Sequence, residues 1–178
     1  MTTLWLIPGL YDSGPAHWQR HWQRERGARV VEQRDWETPR REDWVAALEA
    51  AVGGATNPIV VAAHSLGCVT VAHWAVSTRH AARVRGALLV APSDVEGQAY
   101  PPGTAGFDPM PRAPLPFRSR VVASDDDAYA TLDRARAFAA AWGSEITLLH
   151  GAGHINAASG FGPWAEGYAL VEPWLDPR

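Results

Sequence analysis

Ser65 stands where an apolar strand-like run gives way to a helical pattern, in the pentapeptide Ala63-His64-Ser65-Leu66-Gly67. A serine on a sharp strand-to-helix turn presents its hydroxyl at the sheet edge, where it can attack a carbonyl carbon. Such a turn needs small residues two positions before and after the serine. Ala63 and Gly67 meet this need, although the common G-x-S-x-G pattern has glycine at both positions. A serine before a helix is also an ordinary N-cap, so the pentapeptide alone leaves both interpretations open.

A serine nucleophile needs a base and an acid, and both residue types follow later in the chain. His154 lies in a loop where Gly151 and Gly153 let the backbone bend, so its imidazole can reach across strand ends and accept the Ser65 proton. Three consecutive aspartates, residues 125–127, follow an apolar strand-like run, and one carboxylate could hold the histidine tautomer. Taken separately, the histidine also fits a solvated loop and the aspartates a solvated turn.

The loop PGLYDSG, residues 8–14, follows the first apolar run. Gly9 allows a tight turn and the close approach of a ligand. The backbone N–H of Leu10 is a candidate donor to the oxyanion that forms when a carbonyl is attacked. The N–H of Leu66, at the positive end of the helix after Ser65, is the second candidate. An ordinary turn would also account for the Pro-Gly pair.

Other residues that could do chemistry are weaker candidates. His17 and His21 share a helix face at a spacing that can bind metal, but no third ligand is evident, so a solvated or half-buried face is expected. His64 is expected to point to the opposite side of the turn from Ser65. Cys68 is expected to be a small buried residue. We predict neither a metal site nor a cofactor.

The elements that must position these residues alternate along the chain. Helical patterns lie between short apolar runs, most of which are continuously apolar, as is typical of strands buried on both faces. Alternating strands and helices predict a three-layer αβα fold, in which ligands bind beyond the carboxyl ends of the parallel strands. The predicted strands span residues 3–7, 29–33, 59–63, 86–91, 120–124 and 145–149, and the predicted helices span residues 15–27, 41–52, 66–79, 131–142 and 163–174.

One long stretch, residues 92–118, is rich in proline and shows no periodic pattern. It is expected to be an ordered surface excursion at the edge where the site forms. Most of the nine tryptophans fall in predicted helices and are expected in the core. Trp36 and Trp164 lie on loops or helix starts near the predicted site, and they are candidates for lining a substrate pocket or for structural packing.

Composition excludes several classes of protein. The 178 residues suffice for one domain, 1–178, with a sizeable core. The net charge of -3 shows no excess of positive charge of the kind that binds nucleic acid. All 16 basic residues are arginine, so lysine chemistry is excluded. The single cysteine fits a reducing compartment and predicts a cytoplasmic location. The apolar start of the chain ends at a Pro-Gly pair and is expected to be a strand rather than a signal peptide, and no run is long enough to cross a membrane.

Several segments, in order, resemble the small serine hydrolases of the retinoblastoma-binding-protein-9/YdeN family. They are AHSLGC, RDWETPRREDWVAALE, VAPSDVE, ASDDDAYA and GHINAASGFGPWAEG. The resemblance implies an α/β-hydrolase fold without a large lid domain and a triad of Ser65, His154 and one of the aspartates. The family's S-x-D-D pattern places the acid at Asp127, which also lies furthest over the sheet edge. Asp126 is the alternative acid, and Asp125 is expected to be a solvated turn residue.

Together these features predict six parallel strands in the order 2-1-3-4-5-6 and a hydrolase acting through an acyl-enzyme. The order Ser, Asp, His along the chain is that of α/β-hydrolases. The expected substrates are small carboxylic esters, or amides or thioesters. The alternative is a protein-interaction module that keeps the fold while catalysis is weak or incidental. The sequence gives no indication of the oligomeric state.

Overall fold

The structure, a computed structural model, describes residues 1–176, so positions 177 and 178 of the predicted domain lie outside the described residues. The strands are β1 (Thr3–Ile7), β2 (Arg29–Val30), β3 (Ile59–His64), β4 (Val84–Val90), β5 (Ser119–Ser124) and β6 (Glu145–Leu149). The α-helices are α1 (Trp18–Arg26), α2 (Arg41–Gly54), α3 (Leu66–Ser77), α4 (Leu132–Trp142) and α5 (Ala165–Leu175).

The strands form one parallel sheet in the order β2-β1-β3-β4-β5-β6. Strand order reverses between β1 and β3, and this switch point brings the residues that follow β1 beside those that follow β3. The predicted strand order and the absence of a large lid are confirmed for the described residues.

Helices cover both faces of the sheet because side chains of the central strands alternate between two cores. One core joins the sheet to α2, α3 and α4, and it contains Val61 and Ala63 of β3. The other joins the sheet to α1 and α5, and it contains Val60 and Ala62 of the same strand. All six residues of β3 are buried, which explains why this strand reads as a continuous apolar run.

The largest differences from the predicted boundaries are at β2 and α1, each for a local reason. The second strand pairs only at Arg29 and Val30, because Val30 pairs with Leu6 and β1 ends one residue later, at Ile7. The first helix begins at Trp18 rather than at residue 15, because His17 is its N-cap and accepts the Gln19 N–H through Nδ1.

The irregular stretch 92–118 has no helix or strand of its own and packs against α2 and α3. Phe107 is buried against Trp44 of α2, with ring centroids 5.9 Å apart, and its carbonyl accepts a hydrogen bond from His73 of α3. The excursion is therefore ordered, as expected. Within residues 1–176, no helix is both long enough and apolar enough to cross a membrane.

Candidate active site

Ser65 occupies a sharp turn between β3 and α3, with φ 55° and ψ -121°. This conformation is unfavourable for a residue that carries a side chain and costs on the order of 1–3 kcal/mol. The Ser65 N–H donates to the Val90 carbonyl at 3.0 Å, and the Ser65 carbonyl accepts from the Cys68 N–H at 3.0 Å, so both sides of the turn are fixed. Gly67 must lack a side chain, because a Cβ there would lie 2.2 Å from the Ile7 carbonyl oxygen.

A continuous hydrogen-bonded chain runs from Ser65 through His154 to Asp127. His154 Nε2 lies 2.9 Å from Ser65 Oγ, and His154 Nδ1 lies 2.9 Å from both carboxylate oxygens of Asp127. A carboxylate only accepts, so Nδ1 carries the proton and Nε2 is left to accept the serine hydroxyl. The side chains of His154 and Asp127 are only 10% and 4% exposed, so bulk water does not compete for this pair.

The three aspartates fasten the loop that carries His154 to the end of β5. Asp127 contacts the imidazole, whereas Asp126 points to the backbone and accepts the Gly153 N–H at 2.7 Å. Asp125, expected to be a solvated turn residue, is exposed but also bonds to this loop. The other hydrogen bonds between the two loops are Asp125 with His150 and Gly151, and Ser124 with Ala152.

The loop after β1 lies directly beside the Ser65 turn. A Cβ placed on Gly9 would lie 2.8 Å from Ser65 Cβ and 3.3 Å from the Leu66 nitrogen, so glycine is required for this approach. Within residues 1–176, the N–H groups of Leu10 and Leu66 have no protein acceptor. Both residues line the cavity at Ser65, and their N–H groups can therefore serve an oxyanion there.

His64 does not point away from the site, contrary to the sequence-based prediction. Its Nε2 donates to the backbone carbonyl of His154 at 2.9 Å, and its ring centroid lies 4.8 Å from that of His154. The reason is that the loop carrying His154 lies on the face of the sheet that α1 covers.

His17 lies on this face too, and it is only 5% exposed rather than solvated or half-buried. Burial lowers the pKa of His17 to about 3 and holds the pKa of His64 well below its usual range, so both imidazoles are neutral.

These two buried histidines predict that the protein loses stability in mild acid. An unfolded histidine takes up a proton below about pH 6.5, whereas the folded His17 and His64 do not, so protons favour the unfolded chain as pH falls. Between pH 7 and pH 5 we expect the free energy of unfolding to fall by about 2 kcal/mol per histidine. Urea denaturation at the two pH values measures this loss. The variant His17→Asn, which keeps an N-cap side chain, should lose less, and equal urea midpoints at both pH values would contradict the prediction.

Ser93 is a site residue that the sequence analysis did not single out. Its side chain is buried at the end of β4, and its Oγ lies 2.8 Å from Ser65 Oγ. Since the Ser65 hydroxyl is directed at His154, the Ser93 hydroxyl is the donor in this pair. The available signal was its position just after a strand that neighbours β3.

A cavity of about 190 Å³ opens beside Ser65, and most of the residues around it are polar or aromatic. Its lining comprises Leu10, Tyr11, Asp12, His17, His64, Ser65, Leu66, Ser93, Tyr100, Pro101, Tyr129, His154 and Asn156. Among residues 1–176, no three His, Cys, Asp or Glu side chains are grouped so that they could hold a metal ion.

Trp36 and Trp164 do not line this cavity, so their prediction as pocket residues is wrong. The Trp36 ring packs edge-on against Trp44, at 5.5 Å between centroids, and the Trp36 backbone carbonyl accepts the Tyr11 N–H of the loop after β1. The Trp164 ring packs against Trp18 of α1 at 5.5 Å. Both indoles therefore pack against other tryptophan rings rather than lining the cavity.

Comparisons with known proteins place the chain in a family. A family model described as serine hydrolase matches residues 4–173, whereas none of the curated proteins compared with the chain matches it. A solved structure described as a YdeN-like hydrolase, from Pectobacterium atrosepticum, is 30% identical with a TM-score of 0.85, covering 99% of this chain and 94% of its own.

Two more distant structures share the fold. The ydeN gene product of B. subtilis is 19% identical with a TM-score of 0.74, and the alignment covers 98% of each chain. Esterase 2 of Thermogutta terrifontis, phosphonylated by cyclosarin, is 17% identical with a TM-score of 0.68, covering 98% of this chain and 81% of its own. The resemblance expected from the sequence is confirmed, and the protein is an enzyme that belongs to the serine hydrolase family, with YdeN-like hydrolases among its relatives.

Proposed function

We propose that the protein hydrolyses small carboxylic esters through an acyl-enzyme formed on Ser65. The observation that carries this proposal is the unbroken chain of hydrogen bonds from Asp127 through His154 to Ser65. In this arrangement His154 accepts the serine proton while Ser65 Oγ attacks the carbonyl carbon. Asp127 keeps Nδ1 protonated and stabilises the imidazolium that forms.

The N–H groups of Leu10 and Leu66 stabilise the oxyanion of the tetrahedral intermediate. Two observations support this role: both leucines line the cavity at Ser65, and neither N–H group has an acceptor within the described residues. Leu66 is also the first residue of α3, so the positive end of the helix dipole faces the same point. As the intermediate collapses, His154 returns the proton to the leaving alcohol, and a water molecule activated by His154 then releases the acid and restores the Ser65 hydroxyl.

The size of the cavity supports short acyl groups. A space of about 190 Å³, lined in part by Tyr100 and Pro101 of the stretch 92–118, holds only a small substituent. Amides and thioesters pass through the same intermediate and are the other substrates to be tested. The location we propose is cytoplasmic, because Cys68 is buried and unpaired, as is typical of a reducing compartment.

Hydrolysis of p-nitrophenyl esters of increasing chain length tests this proposal. We expect kcat/KM for acetate or butyrate to exceed that for palmitate by about tenfold or more, because forcing extra methylenes into a small site is costly. A p-nitroanilide and a thioester of the preferred acyl group then define the bond that is cleaved. A preference for the long-chain ester would contradict the short-acyl proposal, and no turnover of any of these compounds would contradict ester hydrolysis.

Ser93→Ala tests whether the second hydroxyl orients the nucleophile. The substitution removes one hydrogen bond to Ser65 Oγ, and we expect kcat to fall about 5- to 20-fold with little change in KM. Ser119→Ala is the matched control, since Ser119 makes a similar pair with Ser144 at 2.6 Å at the start of β5. Steady-state kinetics on one short ester measure both variants, and equal kcat values for them would contradict this role of Ser93.

A further inference from the structure

Buried polar atoms without a protein partner are concentrated around the cavity at Ser65. Within residues 1–176 such atoms occur on five side chains, and three of them, Asp12, His17 and Tyr100, line this cavity. The atoms are Asp12 Oδ1, His17 Nε2 and the Tyr100 hydroxyl. Leaving a buried polar group unpaired is costly, so a concentration of them at one cavity points to a ligand that supplies the missing partners.

Each atom has a defined hydrogen-bonding role. His17 Nδ1 accepts the Gln19 N–H at 3.2 Å, so the imidazole proton lies on Nε2, which is a donor. Asp12 Oδ2 is taken by Arg20, which leaves Oδ1 as a free acceptor. The Tyr100 hydroxyl can both donate and accept. Burial raises the pKa of this hydroxyl and nearby Thr104 lowers it in part, but Thr104 forms no hydrogen bond of ordinary geometry with it.

The backbone that carries Asp12 is held in an uncommon conformation. Tyr11 and Asp12 have φ of 65° and 63°, in the left-handed region that residues with side chains seldom occupy. The Tyr11 N–H bonds to the Trp36 carbonyl and the Asp12 N–H to the Gly9 carbonyl, and these bonds fix the turn. Strained backbone of this kind is found where a side chain must be held in place for function.

The cavity offers hydrogen bonds without an uncompensated charge. Arg20 neutralises Asp12, and burial keeps His17 and His64 in their neutral forms. A cationic substrate group would therefore find no free anion, and an anionic group would find no free cation. An uncharged group that both donates and accepts, such as a hydroxyl, matches this combination of atoms.

We propose that the substrates are small uncharged esters that carry a hydroxyl group, which His17, Asp12 and Tyr100 bind. This inference rests on the proposed ester hydrolysis and specifies its substrate class. A substrate lacking the hydroxyl leaves these polar atoms unpaired on binding, which is how a polar site rejects an apolar analogue of similar shape.

Matched esters test the proposal and show which part of the substrate carries the hydroxyl. Methyl β-hydroxybutyrate is compared with methyl butyrate for the acyl side, and glyceryl monobutyrate with propyl butyrate for the alcohol side. We expect kcat/KM to be about tenfold or more higher for the hydroxylated ester in at least one pair. No preference in either pair would overturn the proposal, as would faster turnover of methyl β-aminobutyrate, a cationic ester, than of the preferred hydroxylated ester.

Variants connect the preference to the three side chains. Tyr100→Phe removes only the hydroxyl, and His17→Asn keeps the helix cap while removing the Nε2 donor, so each should lower the ratio of the two kcat/KM values about 5- to 10-fold. Tyr168→Phe, on α5 against Trp22, is the matched control and should leave the ratio unchanged. An equal loss on both esters in Tyr100→Phe and His17→Asn would indicate packing alone and contradict the proposal.

Active-site labelling with a fluorophosphonate distinguishes a failure of this inference from a failure of the proposed ester hydrolysis. Labelled protein that hydrolyses alkyl esters without preferring hydroxylated ones would overturn this inference while leaving the proposed function standing. Protein that is neither labelled nor active on any ester would overturn both.

Discussion

Ser65→Ala is expected to lower kcat for a short p-nitrophenyl ester by a factor on the order of 10⁶. Without the hydroxyl no acyl-enzyme forms, and only the oxyanion donors and substrate binding remain to assist a water molecule. The fold should be unaffected, because within residues 1–176 the lost hydroxyl hydrogen-bonds only to His154 and Ser93, and alanine can occupy the same backbone conformation as serine. Circular dichroism melting of both proteins checks this.

Ser93→Ala is the internal control for this experiment. It removes a hydroxyl 2.8 Å from the same position but leaves the proposed nucleophile in place, so kcat should fall only by the factor of about 5 to 20 expected above, far less than in Ser65→Ala. If Ser65→Ala turned over substrate at the wild-type rate, Ser65 would not be the nucleophile, and if Ser93→Ala lost as much activity as Ser65→Ala, the two hydroxyls would not have the separate roles assigned to them.

Asp127→Asn is expected to lower kcat by about 10⁴-fold, the second largest effect. An asparagine amide can donate to His154 Nδ1, which shifts the imidazole proton to Nε2 and leaves no acceptor for the serine hydroxyl. The side chain of Asp127 is 4% exposed, so a water molecule from bulk solvent does not readily take its place. Steady-state kinetics at a pH where histidines are neutral measures the loss.

Asp126→Asn and Asp125→Asn are the matched controls from the same turn. Asp126 accepts a backbone N–H from Gly153 and Asp125 one from Gly151, and the asparagine oxygen can accept both bonds. Their kcat values should therefore fall far less than that of Asp127→Asn. A large loss in Asp126→Asn with a small loss in Asp127→Asn would contradict the assignment of the acid.

The sheet and its helices could be predicted because local sequence and global fold agree. The run at β3 is apolar at every position except its last, and it is buried throughout. The least accurate boundaries were those of β2 and α1, where the end of β1 at Ile7 limits the strand pairing and a histidine N-cap decides where the helix begins. Ala63 was the clearest departure from the common turn pattern, yet it is fully buried beside Ile7, which leaves room for its methyl group.

Side-chain direction at the site was predicted less well than position along the chain. The residues at strand ends were found by their place beyond the sheet edge, but whether a side chain turns into the cavity depends on its tertiary neighbours. Trp36 and Trp164 were placed in the pocket because they lie near the right edge, and packing against Trp44 and Trp18 takes them out of it. Ser93 was overlooked because it lies at the start of the irregular stretch 92–118, where no periodic pattern indicates which way a side chain points.

Fluorophosphonate labelling followed by peptide mapping tests the central claim most directly. The chain contains no lysine, so trypsin cleaves only after arginine and separates Ser65, in the peptide 42–79, from Ser93, in the peptide 86–112. We expect one adduct per chain, located on Ser65, and its loss in Ser65→Ala. An adduct on Ser93 or elsewhere, or an unlabelled wild-type protein, would contradict it, and the unlabelled result would favour a protein-interaction role for this fold.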